Sequence, residues 1–139
     1  MIEPVMSGKP QSKGTVLIID DEPSIARAAS RLLHSMGFEA LVATAGQEAV
    51  EICQARGDEI DVVLLDVVLE TTTSLETLRQ IRALRPEVKV ILTSGYDKAE
   101  SMDGFAGLRL DGFVPKPFDY AELENAVRAA LARPPGNSQ

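Results

Sequence analysis

Three aspartates, a serine and a lysine are the residues of this chain whose types and positions suit chemistry. Asp20 and Asp21 stand directly after the apolar run Val16-Leu-Ile-Ile, and Asp66 directly after Val62-Val-Leu-Leu. Thr93 and Ser94, followed by Gly95, close the run that begins at Val88, and Lys116-Pro117 lies just past Gly112-Phe-Val. Carboxylates held together repel: two unit charges 4 Å apart at an effective dielectric of 20 cost about 4 kcal/mol. A fold avoids such a group, raises a pKa within it or supplies a cation. Mg²⁺ suits that last role, because it takes one or two carboxylates together with water and phosphate oxygens. The set points to Mg²⁺-assisted phosphate chemistry, provided that the fold gathers these positions.

Each residue also has an ordinary reading. Asp21 or Glu22 could serve only to start a helix. Asp66 could be a loop acid, Ser94-Gly95 a turn and Lys116 a surface charge. The weight lies in their shared position at the ends of apolar runs. Two other chemically capable residues read as bystanders. His34, in Arg-Leu-Leu-His-Ser-Met-Gly, falls near a helix end, where a partly exposed histidine suits the dipole. Cys53, beside Ala49, Val50 and Ile52, reads as a small buried apolar residue and not as a reactive thiol.

The elements that must position the polar set alternate along the chain. Strands are expected at 16–19, 38–43, 62–65, 88–92 and 112–114. Between them lie helical spacings. Ile25, Ala29, Leu32, Leu33 and Met36 follow Pro23, with Gly37 as a stop. Thr44 with Gln47 reads as a capping box opening a helix through Ala55, ended by Gly57. Thr73 with Glu76 reads as another, leading Leu75, Leu78, Ile81 and Leu84 toward Pro86. A weaker helix is expected over 97–108, interrupted by Gly104 and Gly107. Asp119 with Glu122 caps a last helix carrying Leu123, Val127, Ala130 and Leu131. Five strands alternating with five helices predict an α/β fold with an open, parallel, doubly wound sheet. The first and third strands are apolar throughout, as strands covered on both faces are. In the order 2-1-3-4-5 the polar residues gather at the carboxyl edge, where such sheets bind ligands.

A net charge of −7, from 14 basic and 21 acidic residues without a basic stripe, argues against direct nucleic-acid binding. No apolar run approaches the roughly 18 residues of a membrane span, and the start, Met-Ile-Glu-Pro, lacks a signal-peptide pattern. The cytoplasm is the expected compartment. A length of 139 residues suits one domain. The Pro- and Gly-containing ends, 1–14 and 133–139, read as flexible tails around an ordered unit at 15–132.

Over about residues 15–132 the chain resembles the response-regulator receiver family. The resemblance rests on Val16-Leu-Ile-Ile-Asp-Asp-Glu, Val63-Leu-Leu-Asp66, Val90-Ile-Leu-Thr-Ser-Gly and Phe113-Val-Pro-Lys-Pro-Phe. The intervals of 28 residues from Asp66 to Ser94 and 22 from Ser94 to Lys116 agree with it, and favour Ser94 over Thr93 as the site hydroxyl. The resemblance implies a flavodoxin-like fold with Asp66 as phosphoacceptor. It implies Asp21, Asp66 and the Val68 backbone carbonyl as Mg²⁺ ligands, with Asp20 holding metal-bound water. Lys116 would pair with Asp66 and then with a phosphoryl oxygen, ahead of a cis Lys116-Pro117 bond. Ser94 would bind the phosphoryl group, and Phe113 would repack when Ser94 moves. Such a chain undergoes phosphorylation and slow autodephosphorylation and does not turn over free substrates.

The implied partners are a histidine kinase or phosphotransfer protein as donor and a downstream protein on the face of the fourth strand, fourth helix and fifth strand. Homodimerisation stays open, as does origin as a stand-alone regulator or a piece of a hybrid kinase. Two positions depart from the family: Glu70 replaces a usual proline and Ser74 a usual glycine, which predicts an altered loop after Asp66. Val68 and Tyr96, where relatives can carry polar residues that guide water, predict slow dephosphorylation. A haloacid-dehalogenase-type phosphatase is the enzyme alternative, but Asp20-Asp21-Glu22 lacks the Asp-x-Asp pattern and no acidic pair follows Lys116. A degenerate receiver, binding partners without phosphorylation, is the other.

Overall fold

The computed structural model describes residues 12–69, 73–105 and 107–134. Among them one parallel sheet has the order β2-β1-β3-β4-β5. Its strands are β1 (Thr15–Ile19), β2 (Glu39–Ala43), β3 (Val62–Asp66), β4 (Lys89–Ser94) and β5 (Gly112–Pro115). The helices are α1 (Pro23–Ser35), α2 (Gly46–Arg56), α3 (Ser74–Leu84), α4 (Lys98–Asp103) and α5 (Tyr120–Ala132). The expected doubly wound α/β architecture and strand order are both observed.

Side-chain alternation along the strands divides the core in two. Val16, Ile18, Val62, Leu64, Ile91 and Val114 pack on one face of the sheet against α1 and α5. Leu17, Ile19, Val63, Leu65, Val90 and Leu92 pack on the other face with α2 and α3. Every residue of β3 and β4 is buried, which accounts for their unbroken apolar runs.

The element ends differ from expectation in instructive places. Pairing of Thr93 with Val114 and Ser94 with Pro115 carries β4 through both hydroxyl residues, past the expected end at Leu92. Asp66 is itself the last residue of β3, in register with Thr93. The capping box at Thr44 and Gln47 does not form. Ala45 takes the N-cap position of α2, and the Glu48 carboxylate accepts the Thr44 N–H at 2.8 Å in its place. The helix expected over 97–108 shrinks to α4, capped by Asp97 on the Glu100 N–H and closed by Gly104; residue 106 lies outside the described residues. Thr73 caps α3 and Asp119 caps α5, the latter with a complete capping box. Gly37, at φ +99°, takes the left-handed conformation that closes α1.

Residues that composition assigns to the tails join the fold. The Lys13 N–H donates to Gly37 O at 2.9 Å, and Gly14 O accepts the Glu39 N–H at 2.9 Å. At the other end the Arg133 guanidinium donates to Leu110 O at 3.0 Å. Residues 1–11 and 135–139 lie outside the described residues.

The amino edge of the sheet is gathered by one carboxylate. Asp111, buried just before β5, accepts the Val90 N–H at 2.8 Å and lies 3.4, 3.9 and 3.6 Å from nitrogens of Arg82, Arg109 and Arg133. It joins α3, the strand before it and the end of α5. Burial and the neighbouring Arg109 lower the Arg82 pKa to about 10, against the pull of Asp111. Removing the anion from such a group strands buried positive charge, which costs about 3–5 kcal/mol in comparable cases. Asp111→Ala is expected to lose stability on that scale in urea unfolding. A loss under about 1 kcal/mol, the exposed-pair range, would show that the arginines do not depend on it.

Candidate functional site

The sheet register gathers the polar set. Ile18 lies beside Leu64 on the α1/α5 face, and two residues further along each strand stand Asp20 and Asp66. Lys116 lies two residues beyond Val114 of the same face. Asp20 remains attached to the sheet through its N–H, which donates to Ala43 O at 3.1 Å. Carboxylate oxygens of Asp20, Asp21 and Asp66 lie within 4.8 Å of one another, with Asp20 and Asp66 buried.

These acids are not spent on capping α1. Its N-cap residue is Glu22, which makes no side-chain cap bond, and Pro23 begins the helix. Asp20 Oδ1 accepts the Glu22 N–H at 2.9 Å, which fixes the turn out of β1. Asp66 Oδ1 accepts the Val68 N–H at 3.1 Å in the corresponding place after β3. The two bonds leave the Oδ2 atoms of both acids for Lys116. Its ammonium lies 2.9 Å from Asp20, 3.0 Å from Asp66 and 3.5 Å from Glu22.

The electrostatics follow from that sharing. Burial raises the Asp66 carboxyl above the usual carboxylate range; the Val68 N–H and Lys116 pull the other way without cancelling it. Burial also works against the Lys116 ammonium, but its hydrogen bonds to Asp20 and Asp66 outweigh that and hold its pKa above the ordinary lysine value. One cation thus serves a cluster of acids that still favours positive charge. The clustered donors are hard oxygens, which fit a hard divalent cation such as Mg²⁺.

The remaining expected residues surround this centre. Ser94 is buried at the end of β4; its Oγ accepts the Tyr96 N–H at 2.9 Å and its carbonyl the Lys116 N–H at 2.8 Å. Neighbouring Thr93 is also buried, and its hydroxyl has no hydrogen-bond partner among the described residues. Phe113 is partly buried on the α2/α3 side, beside Leu92. Val68 and Tyr96 are both well exposed, and the Lys116-Pro117 peptide is cis. Glu70 lies outside the described residues. His34 is exposed near the far end of α1, roughly 17 Å along the helix from Pro23 at 1.5 Å per residue. Cys53 is buried, and burial pushes its thiol pKa up, away from reactive thiolate character.

Two participants were not assigned from sequence. Glu22 adds a third acid to Lys116, foreshadowed only by its place in the Asp-Asp-Glu run. Ser74 is buried at the start of α3 and donates its hydroxyl to the carbonyls of Asp66 and Val67. Its place where the family usually has glycine predicts an altered loop after Asp66, but the bonds to these two carbonyls follow only from the assembled fold.

The family model of the response regulator receiver domain matches residues 16–128. The chain belongs to the response regulator receiver family. Among curated proteins it is 37% identical over 123 residues to the sensor kinase CckA of Brucella abortus, covering 86% of this chain and 13% of that protein. It is 38% identical over 121 residues to the probable transcriptional regulatory protein TcrX of Mycobacterium tuberculosis, covering 86% and 50%. Its sequence thus spans half or less of each of these relatives. The receiver domain of the hybrid histidine kinase CckA superposes with a TM-score of 0.71 at 30% identity, over 85% of this chain and 99% of that one. A CheY-like receiver from Methanospirillum hungatei shares the fold with a TM-score of 0.78 at 24% identity, over 86% and 94%. Among the described residues of this receiver no helix is long and apolar enough to cross a membrane.

Lys116→Met removes the ammonium that lies between Asp20 and Asp66 and is expected to lower the melting temperature of the metal-free receiver. Millimolar Mg²⁺ should then raise the melting temperature of this variant more than that of the parent, since ligand binding to the folded state alone stabilises it. An equal rise in both proteins would show that Lys116 does not relieve the carboxylate repulsion.

Proposed function

We propose that this receiver is the phosphoacceptor in a two-component phosphorelay, taking a phosphoryl group onto Asp66 from the phosphohistidine of a histidine kinase or phosphotransfer protein. The observation that carries the reading is the ammonium of Lys116 held between the buried Asp20 and Asp66 at 2.9 and 3.0 Å, with Asp21 beside them. Asp21, Asp66 and the Val68 backbone carbonyl would bind Mg²⁺, and Asp20 would hold its water. When bound, the ion supplies charge neutralisation at the phosphoryl oxygens.

The protein's own groups do the rest. An Asp66 carboxylate oxygen attacks phosphorus in line; the P–O bond forms as the P–N bond to the donor imidazole breaks. Lys116 exchanges part of its pairing with Asp66 for an oxygen of the arriving group. Ser94 turns its hydroxyl to the same group, and its carbonyl bond to the Lys116 N–H couples the ends of β4 and β5. Phe113, beside Leu92, repacks as Ser94 moves. The face of β4, α4 and β5 changes and a downstream protein reads it. The shortness of α4, six residues with Ser101 alone buried, supports its part as the mobile element. The likeness to CckA and to TcrX supports a receiver that acts in the cytoplasm, either within a hybrid kinase or within a larger or stand-alone regulator.

Incubation with acetyl phosphate and Mg²⁺ should add one phosphoryl increment to the intact mass, absent with EDTA and in Asp66→Asn. An increment on Asp66→Asn, or none on the parent protein while it remains folded, would overturn the assignment. The second expectation concerns lifetime. Val68 and Tyr96, 54% and 63% exposed, flank the site without a carboxylate or amide to orient water. The isolated phosphoprotein should hold its label longer than a Val68→Asn/Tyr96→Glu variant, followed by phosphate release in Mg²⁺. Equal or faster loss from the parent would sink this idea.

A further inference from the structure

The strongest unassigned contact stands behind the loop that leaves Asp66. Ser74 is the first residue of α3, after the N-cap Thr73, and is 3% exposed. Its hydroxyl donates to Asp66 O and, at 2.9 Å, to Val67 O. A serine hydroxyl has one proton. Sharing it between consecutive carbonyls requires both peptide units to turn toward one point.

The same peptides are held from the other direction. The Val67 N–H donates to Thr93 O at 3.0 Å, and the Val68 N–H to Asp66 Oδ1 at 3.1 Å. Four hydrogen bonds thus fix the backbone from Asp66 to Val68, and Ser74 supplies two of them from across the loop. The second of these also sets the Asp66 carboxylate, because the Val68 N–H can reach Oδ1 only while the intervening peptides keep their orientation.

We propose that Ser74 is a positioning residue whose hydroxyl braces the two peptides from Asp66 to Val68, presetting the Asp66 carboxylate for the cation. This inference rests on the Mg²⁺ reading given above. The brace acts through the peptides and touches neither ion nor phosphoryl group. Its loss lets the loop sample other orientations, and binding must then supply the ordering.

The test compares Ser74→Ala and Ser74→Cys with Thr77→Val in the full chain. Thr77 is a control matched in place: it is 1% exposed on the same helix, and its hydroxyl donates to Thr73 O at 3.1 Å, away from the Asp66 carbonyl. Mg²⁺ affinity is measured by calorimetry well below the unfolding temperature, and amide exchange at Val67 and Val68 by NMR without metal. Ser74→Ala and Ser74→Cys are expected to weaken Mg²⁺ binding about three- to tenfold, the ratio matching the usual net worth of one such hydrogen bond. Both should speed exchange at the two amides. Thr77→Val is expected to lose stability with Mg²⁺ affinity unchanged. Parental affinity in a folded Ser74 variant overturns the proposal, as does equal weakening in Thr77→Val. Should Ser74→Ala not fold, the near-isosteric Ser74→Cys carries the test. A parent protein that binds no Mg²⁺ refutes the functional reading instead, and the metal-free exchange rates still decide whether Ser74 braces the loop.

Discussion

The receiver is organised around a charge problem at the carboxyl edge of its sheet. Parallel strands in register bring Asp20 and Asp66 side by side, and the turn after β1 adds Asp21. Their mutual repulsion sets what every neighbouring group does. Lys116 sits between them, raised in pKa although partly buried. Two backbone N–H groups, from Glu22 and Val68, take the oxygens that the ammonium does not face. Asp66 retains a raised pKa despite both kinds of help. A buried carboxylate in that condition has affinity left for any further positive charge or hydrogen-bond donor that arrives.

The opposite edge uses the same interaction with the signs reversed. There Asp111 is the anion that Arg82, Arg109 and Arg133 share, and its bond from the Val90 N–H anchors it to the sheet. At one edge acids share a lysine, and at the other arginines share an aspartate. The difference lies in surroundings. Asp111 ties together helices and strand ends that pack into the fold, whereas the carboxyl edge opens onto exposed Val68, Gly95 and Tyr96. The Asp111 ion group and the acidic cluster thereby fall at opposite ends of the same strands.

How much of this could be read from the chain alone depended on the range of the interaction. Apolar periodicity reports burial, so the strands, their order class and the position of Asp20, Asp66 and Lys116 at strand ends were all legible. Local hydrogen bonding was legible at Thr73 and Asp119, where cap and N3 residues agree. It failed at Thr44 because Glu48, one residue past the expected Gln47, offers a carboxylate to the Thr44 N–H. Contacts between distant side chains and backbone left no pattern. Ser74 reaches back across eight residues to the Asp66 carbonyl, and Arg133 reaches Asp111 from a segment whose prolines suggested a tail. Such bonds are decided by the assembled fold and not by any local rule.

The distribution of aromatic residues gives the molecule an optical character. The chain has no tryptophan and two tyrosines. Tyr96 follows Ser94 by two residues, with its N–H on the serine oxygen, and Tyr120 opens α5 four residues past Lys116. Both phenols therefore stand at the carboxyl edge, 63% and 41% exposed. Tyrosine emission from this protein originates beside the carboxylates, with no indole to overwhelm it. The tyrosine signal of the intact chain reports on one end of the sheet, without any added label.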